Sequence, residues 1–408
     1  MKSLILNFTI YNKNKQESHL NLLYWILIII VSLQFYNYPF LSVGKTVGLK
    51  FLLRLILLFY SYFYLICHQG WKVTLNLKSG SIVSLILFAI TSLVSVTYSV
   101  DPTVSMYRSL DFILLIASCI AISSTINSKN ELLFYIFKQI VMYIALFFLQ
   151  SYVFDQSIWR PMGEAAPRLG GFTINPNVLA YTLLLLISSI LNIKFLRPIL
   201  FIISTYLLVL CFTRSAFIIY FMIIIFLIKK KSLFFLSIIA LIVSGIILLF
   251  GNFDVGIISY VFTRGHDVSN VMTLGGRTDI WSLMLDNLPD SWNILWGHGF
   301  QMVSRFGLSA ESSTMYASMA HNNFLQSLLG LGIFGLLITI SFWILAFIEL
   351  SNYTKGSNNF HQYIMSTYYI SFGFSIVEFG IFGVSTIITW IFFIVIFACN
   401  RSQRLHAP

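Results

Sequence analysis

Apolar runs of membrane-crossing length recur along the chain at 21–38, 51–67, 80–98, 109–125, 132–153, 177–193, 232–250, 322–349, 361–380 and 382–399. A spanning helix needs roughly 20 such residues, and polar segments separate these runs. One further run, 198–228, is too long for a single crossing. Its 31 residues would make a helix of about 46 Å against a hydrocarbon core of about 30 Å. Thr213-Arg214-Ser215 interrupts it near its centre. Charge settles how it runs. Lys2, Lys13, Lys15, Lys72, Lys78, Lys129, Lys194, Arg197, Lys229, Lys230, Lys231, Lys355, Arg401 and Arg404 share one side only if 198–228 enters and returns as two short helices, 198–212 and 214–228, meeting near Arg214. A single helix there would move the three-lysine cluster to the opposite side and invert everything after it. Each short helix is about 22 Å long, which puts their junction in a water-filled recess below the outer surface.

The pattern predicts an all-α, polytopic integral membrane protein of twelve helices with both termini cytoplasmic. Its expected organisation is a tail at 1–20, helices 1–9 within 21–250 with an outer loop at 154–176, a large outer loop at 251–321, helices 10–12 within 322–400, and a tail at 401–408. In the large loop, Ile280, Trp281, Leu283, Met284 and Leu288 fall at helical spacing, so a short amphipathic helix is expected over Asp279 to Leu288.

Composition agrees. The 408 residues are 58% hydrophobic and 10% charged, with mean hydropathy +0.86, and no soluble domain has enough interior for so much apolar surface. The net charge of +11 would suggest nucleic acid in a soluble chain. Here cytoplasmic lysines and arginines account for it, and no basic, aromatic-interleaved domain exists to bind nucleic acid. Cys67, Cys119, Cys211 and Cys399 lie in or beside apolar runs with no CxxC pair, and read as small hydrophobes. The apolar stretch from Leu4 to Ile10 breaks at Asn12-Lys13-Asn14-Lys15 with no small-residue cleavage site, so an uncleaved cytoplasmic tail is expected. No fixed-period repeat is present, which gives no support to an inverted-repeat transporter.

The outer segments beyond residue 100 hold seven arginines and no lysine: Arg108, Arg160, Arg168, Arg214, Arg264, Arg277 and Arg305. Solubility alone would use both residues. A planar fork that grips phosphate or carboxylate through paired hydrogen bonds is specific to arginine. Four outer segments stand out: Pro167-Arg168-Leu169-Gly170-Gly171-Phe172-Thr173-Ile174-Asn175-Pro176-Asn177; Thr213-Arg214-Ser215; Gly275-Gly276-Arg277-Thr278-Asp279-Ile280-Trp281; and Ala320-His321-Asn322-Asn323-Phe324-Leu325-Gln326, followed by Gly330, Gly332 and Gly335.

In this order, over roughly 95–400, these segments resemble the O-antigen ligase and polymerase superfamily, the bacterial membrane enzymes that assemble surface polysaccharide. The resemblance implies a donor oligosaccharide on undecaprenyl diphosphate, transferred to an acceptor hydroxyl outside the bacterial cytoplasmic membrane, with no nucleotide sugar, no metal and no cofactor. It makes Arg168, Arg214 and Arg277 the diphosphate and glycan contacts and His321 the catalytic candidate, with Arg214 beside it. Asn175, Asn177 and Trp281 join the substrate-binding set. The implied partners are the lipid-linked oligosaccharide, a glycan acceptor, the bilayer and a chain-length regulator. Within the superfamily a polymerase extending O-antigen, capsule or exopolysaccharide is the leading reading. A ligase acting on lipid A–core is the alternative, and a flippase of the same lipid-linked glycan is the reading from another class.

The residues make chemical sense of this. A departing lipid diphosphate carries about two negative charges, which arginines can meet without a metal. An acceptor hydroxyl must lose a proton, and histidine is the usual base near neutral pH. No acid-rich cluster with metal-ligand spacing lies outside. Plainer roles stand beside these. Asn175-Pro176-Asn177 also reads as a turn and helix start. His321 also reads as a residue near a first helical turn capped by Asn322 or Asn323. Gly330, Gly332 and Gly335 suit close helix packing. Trp159, Trp281, Trp292 and Trp296 suit an interfacial belt, with sugar stacking as the sharper role. Glu378, within an apolar run, is costly unless paired or wet, and the sequence names no partner. His266, His298 and His361 carry no motif.

Overall fold

The computed structural model describes residues 43–69, 76–153, 157–162, 165–170, 175–190, 197–227, 281–282, 285, 291–301, 320–354, 358–378, 380–382 and 386–401. The helices in chain order are α1 (Val43–Gln69), α2 (Gly80–Val94) with a 3-10 turn (Ser95–Thr97), α3 (Pro102–Thr125), α4 (Lys129–Val153), α5 (Pro176–Ile190), α6 (Arg197–Leu210), α7 (Arg214–Leu227), α8 (Ser291–Trp296), α9 (Asn323–Tyr353), α10 (Asn358–Val377) and α11 (Ile387–Arg401). Four helical stretches are long and apolar enough to cross a membrane: Gly80–Thr97, Pro102–Thr125, Lys129–Val153 and Asn323–Tyr353. Of the runs expected to span, 21–38 and 232–250 lie outside the described residues; the others fall on described helices.

The packing is that of a membrane bundle, with the polarity of a soluble helix reversed. On α2, Ser81, Ser84 and Ser92 are buried, while Val83, Leu87, Ile90, Leu93 and Val94 are exposed. Small polar side chains let helices approach and bond to the preceding turn, and the large apolar ones are left for lipid. α11 is buried from Ile387 to Cys399, and α5 is buried along nearly its whole length. Helices that are apolar on all sides belong at the centre of a bundle. Phe88, Phe112, Phe300, Phe342, Phe382 and Phe393 form a continuous aromatic core between α2, α3, α9 and α11.

Contacts sort the helix ends into two opposite sides. On one, the Glu349 carboxylate of α9 accepts from Ser79 Oγ at 2.8 Å and Ser81 N at 3.2 Å at the start of α2. Asn76 Nδ2 donates to Asn400 O at the end of α11, and Arg401 donates to the Ser123 and Ser124 carbonyls that end α3. Lys129 Nζ, opening α4, lies 5.9 Å from the Tyr353 ring and 5.4 Å from that of Phe360. The other side holds the Phe300 amide on Ser95 Oγ, the α6–α7 junction and residues 157–162 and 165–170. Lys78, Lys129 and Arg401 lie on the first side, and Arg168 and Arg214 on the second.

The helix pair expected over 198–228 is present as α6 and α7. Phe212, between them, has φ +45. Thr205 Oγ1 and Tyr220 OH are 3.3 Å apart, whereas one straight helix would hold them about 22 Å apart. Three features refine the sequence reading. Within the loop expected at 154–176 lies a small antiparallel hairpin, β1 (Trp159–Met162) with β2 (Ala165–Leu169), pairing Trp159 with Leu169 and Arg160 with Arg168, in a chain that is otherwise helical among the described residues. A short helix, α8, lies in the large loop, which is expected to carry short helices. Finally, the single span expected over 322–349 is broken. Gly332 has φ +68 and ψ −163 inside α9, and Thr339 Oγ1 donates to Ser327 Oγ at 2.9 Å, a pair that a continuous helix would hold about 18 Å apart. The nine residues before the break therefore fold back on the long part of α9. Of the helix expected over 279–288, Trp281, Ser282 and Leu285 are helical and the remaining residues lie outside those described.

Candidate active site

The α6–α7 junction leaves carbonyls at the end of α6 without helical partners. Arg168, on β2, supplies one: its Nε donates to Cys211 O at 2.9 Å. A guanidinium is favourable there because a helix C-terminus carries partial negative charge. The same side chain donates through Nη2 to Asn177 Oδ1 at 2.7 Å and Thr213 Oγ1 at 2.8 Å. Arg168 is only 5% exposed, so it braces three segments from inside. Gly170 follows with φ +144, and a Cβ there would meet Pro176 Cγ at 2.7 Å, so only glycine lets the hairpin seat against the start of α5.

Asn175 and Asn177 divide the labour at that start. Asn175 Oδ1 accepts from Asn177 N at 2.8 Å, a helix-opening turn. Asn177 Nδ2 donates to Glu378 Oε1 at 2.6 Å. The other carboxylate oxygen of Glu378, Oε2, lies 3.0 Å from His321 Nδ1. Glu378 is buried to 4% exposure at the end of α10, while the His321 side chain is 35% exposed. A continuous hydrogen-bonded chain thus joins the α6–α7 junction, Arg168, Asn177, Glu378 and His321. With Glu378 ionised, Nδ1 carries the proton and donates it, which makes Nε2 the basic ring nitrogen.

His321 has φ +49, a left-handed backbone uncommon outside glycine. Asn322 follows as the cap of α9, its Oδ1 accepting from Phe324 N at 2.9 Å and Leu325 N at 3.0 Å. Arg214 opens α7 directly after Thr213. Its Nε and Nη2 are buried and have no hydrogen-bond partner among the described residues. Two orphaned donors on a charged group represent unmet demand for an acceptor. Three helix N-termini, those of α5, α7 and α9, meet around this chain, and their partial positive charges favour an anion.

Trp281 is placed by its indole: Nε1 donates to Ala320 O at 2.7 Å, next to His321. Arg277 and His266 lie outside the described residues. His298 and His361 are apart from the cluster: the His298 amide donates to Leu329 O, and His361 Nδ1 contacts Thr354 Oγ1 on the opposite side. Among the described residues no group of three or more His, Cys, Asp or Glu could hold a metal ion. The structure therefore brings together Arg168, Asn177, His321 and, through Thr213, the start of the helix carrying Arg214. It adds Glu378, whose only sequence signal was a charge inside an apolar run.

The family model described as O-Antigen ligase matches residues 199–340. Over that stretch the chain is similar to the O-antigen ligase family. The match supports the O-antigen ligase and polymerase superfamily, whose members are glycosyltransferase-like enzymes. It takes in Arg214, Arg277, Trp281 and His321. Arg168, Asn177 and Glu378 lie outside it, and hydrogen bonding ties them to the matched part. No curated protein matches the chain. Apolar helices and superfamily together identify a membrane protein.

Proposed function

We propose that the protein is a membrane glycosyltransferase that polymerises undecaprenyl-diphosphate-linked oligosaccharide repeat units into O-antigen, capsule or exopolysaccharide on the outer face of the bacterial cytoplasmic membrane. The observation that carries this reading is the Glu378–His321 pair, tied through Asn177 and Thr213 to the start of the helix that opens with Arg214, whose Nε and Nη2 have no hydrogen-bond partner among the described residues. An acceptor hydroxyl attacks the anomeric carbon of the donor, and its proton passes to His321 Nε2. The bond from that carbon to the diphosphate oxygen breaks, and the lipid diphosphate leaves with the electron pair. Glu378 orients the ring through Nδ1 and stabilises the imidazolium that forms. Arg214 and Arg277 meet the charge building on the diphosphate, assisted by the converging helix N-termini. Arg168 and Asn177 serve the same anion by holding the α6–α7 junction and Glu378 in register, Asn175 shapes the start of α5, and no metal takes part.

In this reading the lysine-bearing side is cytoplasmic, and the chain crosses twelve times with both termini inside. The units remain the tails 1–20 and 401–408, helices within 21–250 and 322–400, and the outer loops 154–176 and 251–321. A chain-length regulator acts on the outer side. The description of the matched family favours one second reading, a ligase that moves finished glycan onto lipid A–core. Purified protein supplied with undecaprenyl-diphosphate oligosaccharide, EDTA and no nucleotide should make longer glycans without lipid A–core. Product that needs lipid A–core selects the ligase, and donor moved across liposomes with no new glycosidic bond sinks both readings in favour of a flippase.

A further inference from the structure

His321 reaches Glu378 from a left-handed backbone, φ +49. For a histidine that conformation is strained and persists only where its surroundings impose it. The surroundings act through the preceding residue. Ala320 is fully buried, and both of its backbone polar groups are claimed by side chains. Trp281 Nε1 donates to its carbonyl at 2.7 Å. Gln326 Oε1 accepts from its amide at 3.2 Å. Gln326 is itself only 8% exposed and stands one turn into α9, with its own amide donating to Asn322 O at 2.9 Å. The carbonyl of Ala320 belongs to the peptide that joins it to His321, so these contacts fix the backbone on which the His321 ring turns.

We propose that Trp281 and Gln326 are positioning residues for His321, acting through Ala320. This gives Trp281 a task different from stacking on a sugar. Its polar edge is engaged by the protein, and through it the large outer loop reaches the histidine. Gln326 comes from the folded-back part of α9, so two segments of separate origin set one ring. The inference rests on His321 being the base, and its test separates the two ideas.

Trp281→Phe keeps an aromatic face and removes only the N–H. Gln326→Met keeps the length and removes the acceptor. Each should lower kcat for glycan elongation about 10- to 100-fold, the loss that follows when a reacting group is misplaced by about an ångström. KM for undecaprenyl-diphosphate oligosaccharide should stay near wild type. In a His321→Ala background neither change should cost anything further. Spectra of protein labelled with ¹⁵N-histidine give a readout independent of turnover. The His321 ring signals, identified by their loss in His321→Ala, should shift in both variants. Full turnover in Trp281→Phe, or a raised KM with unchanged kcat, overturns the proposal and returns Trp281 to a glycan contact or a bystander. If wild-type protein makes no glycan, the polymerase reading fails and the spectra decide alone: shifted His321 signals uphold the positioning role and unmoved signals reject it.

Discussion

Glu378 bonds both His321 and Asn177, so substitutions there separate charge from shape. Glu378→Gln keeps the size, loses the negative charge that steadies an imidazolium, and turns one of the two accepting oxygens into a donor. We expect turnover to fall about 10²- to 10⁴-fold, the range typical for loss of acid–base function, while donor still binds; an elongation assay beside a donor-binding assay checks both. Unchanged elongation by Glu378→Gln would leave the carboxylate a purely structural strut. Arg214 separates fork from charge. Arg214→Lys keeps the positive charge but loses the planar pair of donors and some reach, so chain growth should be severely impaired at normal protein levels. A fully active Arg214→Lys would reduce Arg214 to an electrostatic feature. Both charges announced themselves in the sequence as expensive residues within apolar runs. What the sequence could not give was the partner.

The break in α9 is the element that most changes the architecture. Gly332 sits at φ +68, and a Cβ added there would lie 2.0 Å from Leu295 O. The His298 and Gly299 amides donate to Leu329 O and Gly330 O at 3.0 and 2.9 Å, so backbone from the large loop satisfies carbonyls close to the break. Gly332→Ala faces left-handed strain and a collision with backbone together. We expect a loss of roughly 2–5 kcal/mol, read as a lower melting temperature in detergent and reduced elongation. Wild-type behaviour of Gly332→Ala would mean that the fold-back can open without consequence. The run 322–349 looked like one span because hydropathy averages over a glycine, and Gly332 differs from Gly330 and Gly335 only in what its neighbours demand. The α6–α7 junction was legible because a charge marked it and lysines flanked it on both sides.

For the whole molecule, sidedness is the property to test. A topology reporter placed after Lys231 should report the cytoplasm, and one at Asn270 the outside. A periplasmic signal after Lys231 would remove the basis for putting the arginines on the outer face. A second prediction concerns the interior. Arg54 of α1 and Asp111 of α3 form an ion pair with side chains 1% and 9% exposed. Asp111→Asn leaves Arg54 buried without its counter-charge, at a cost of about 3–5 kcal/mol, whereas Arg54→Met with Asp111→Leu removes both charges and should restore much of the stability. Thermal unfolding of the two variants in one detergent checks the order, and a double variant less stable than the single one would contradict it.

The sequence by itself determined the membrane character and the return of the chain between 198 and 228. Those are consequences of hydropathy and charge, which each segment carries locally. It also marked Arg168, Arg214 and His321 as residues apart. Only the tertiary structure decided that Arg168 is a buried brace, that Asn177 and Glu378 bond across 201 residues of chain, and that Glu378 turns back 57 residues to His321. Hydrogen bonds of that reach depend on which helix ends come to lie together. In a bundle whose helices are mostly apolar, no pattern along the chain records that arrangement.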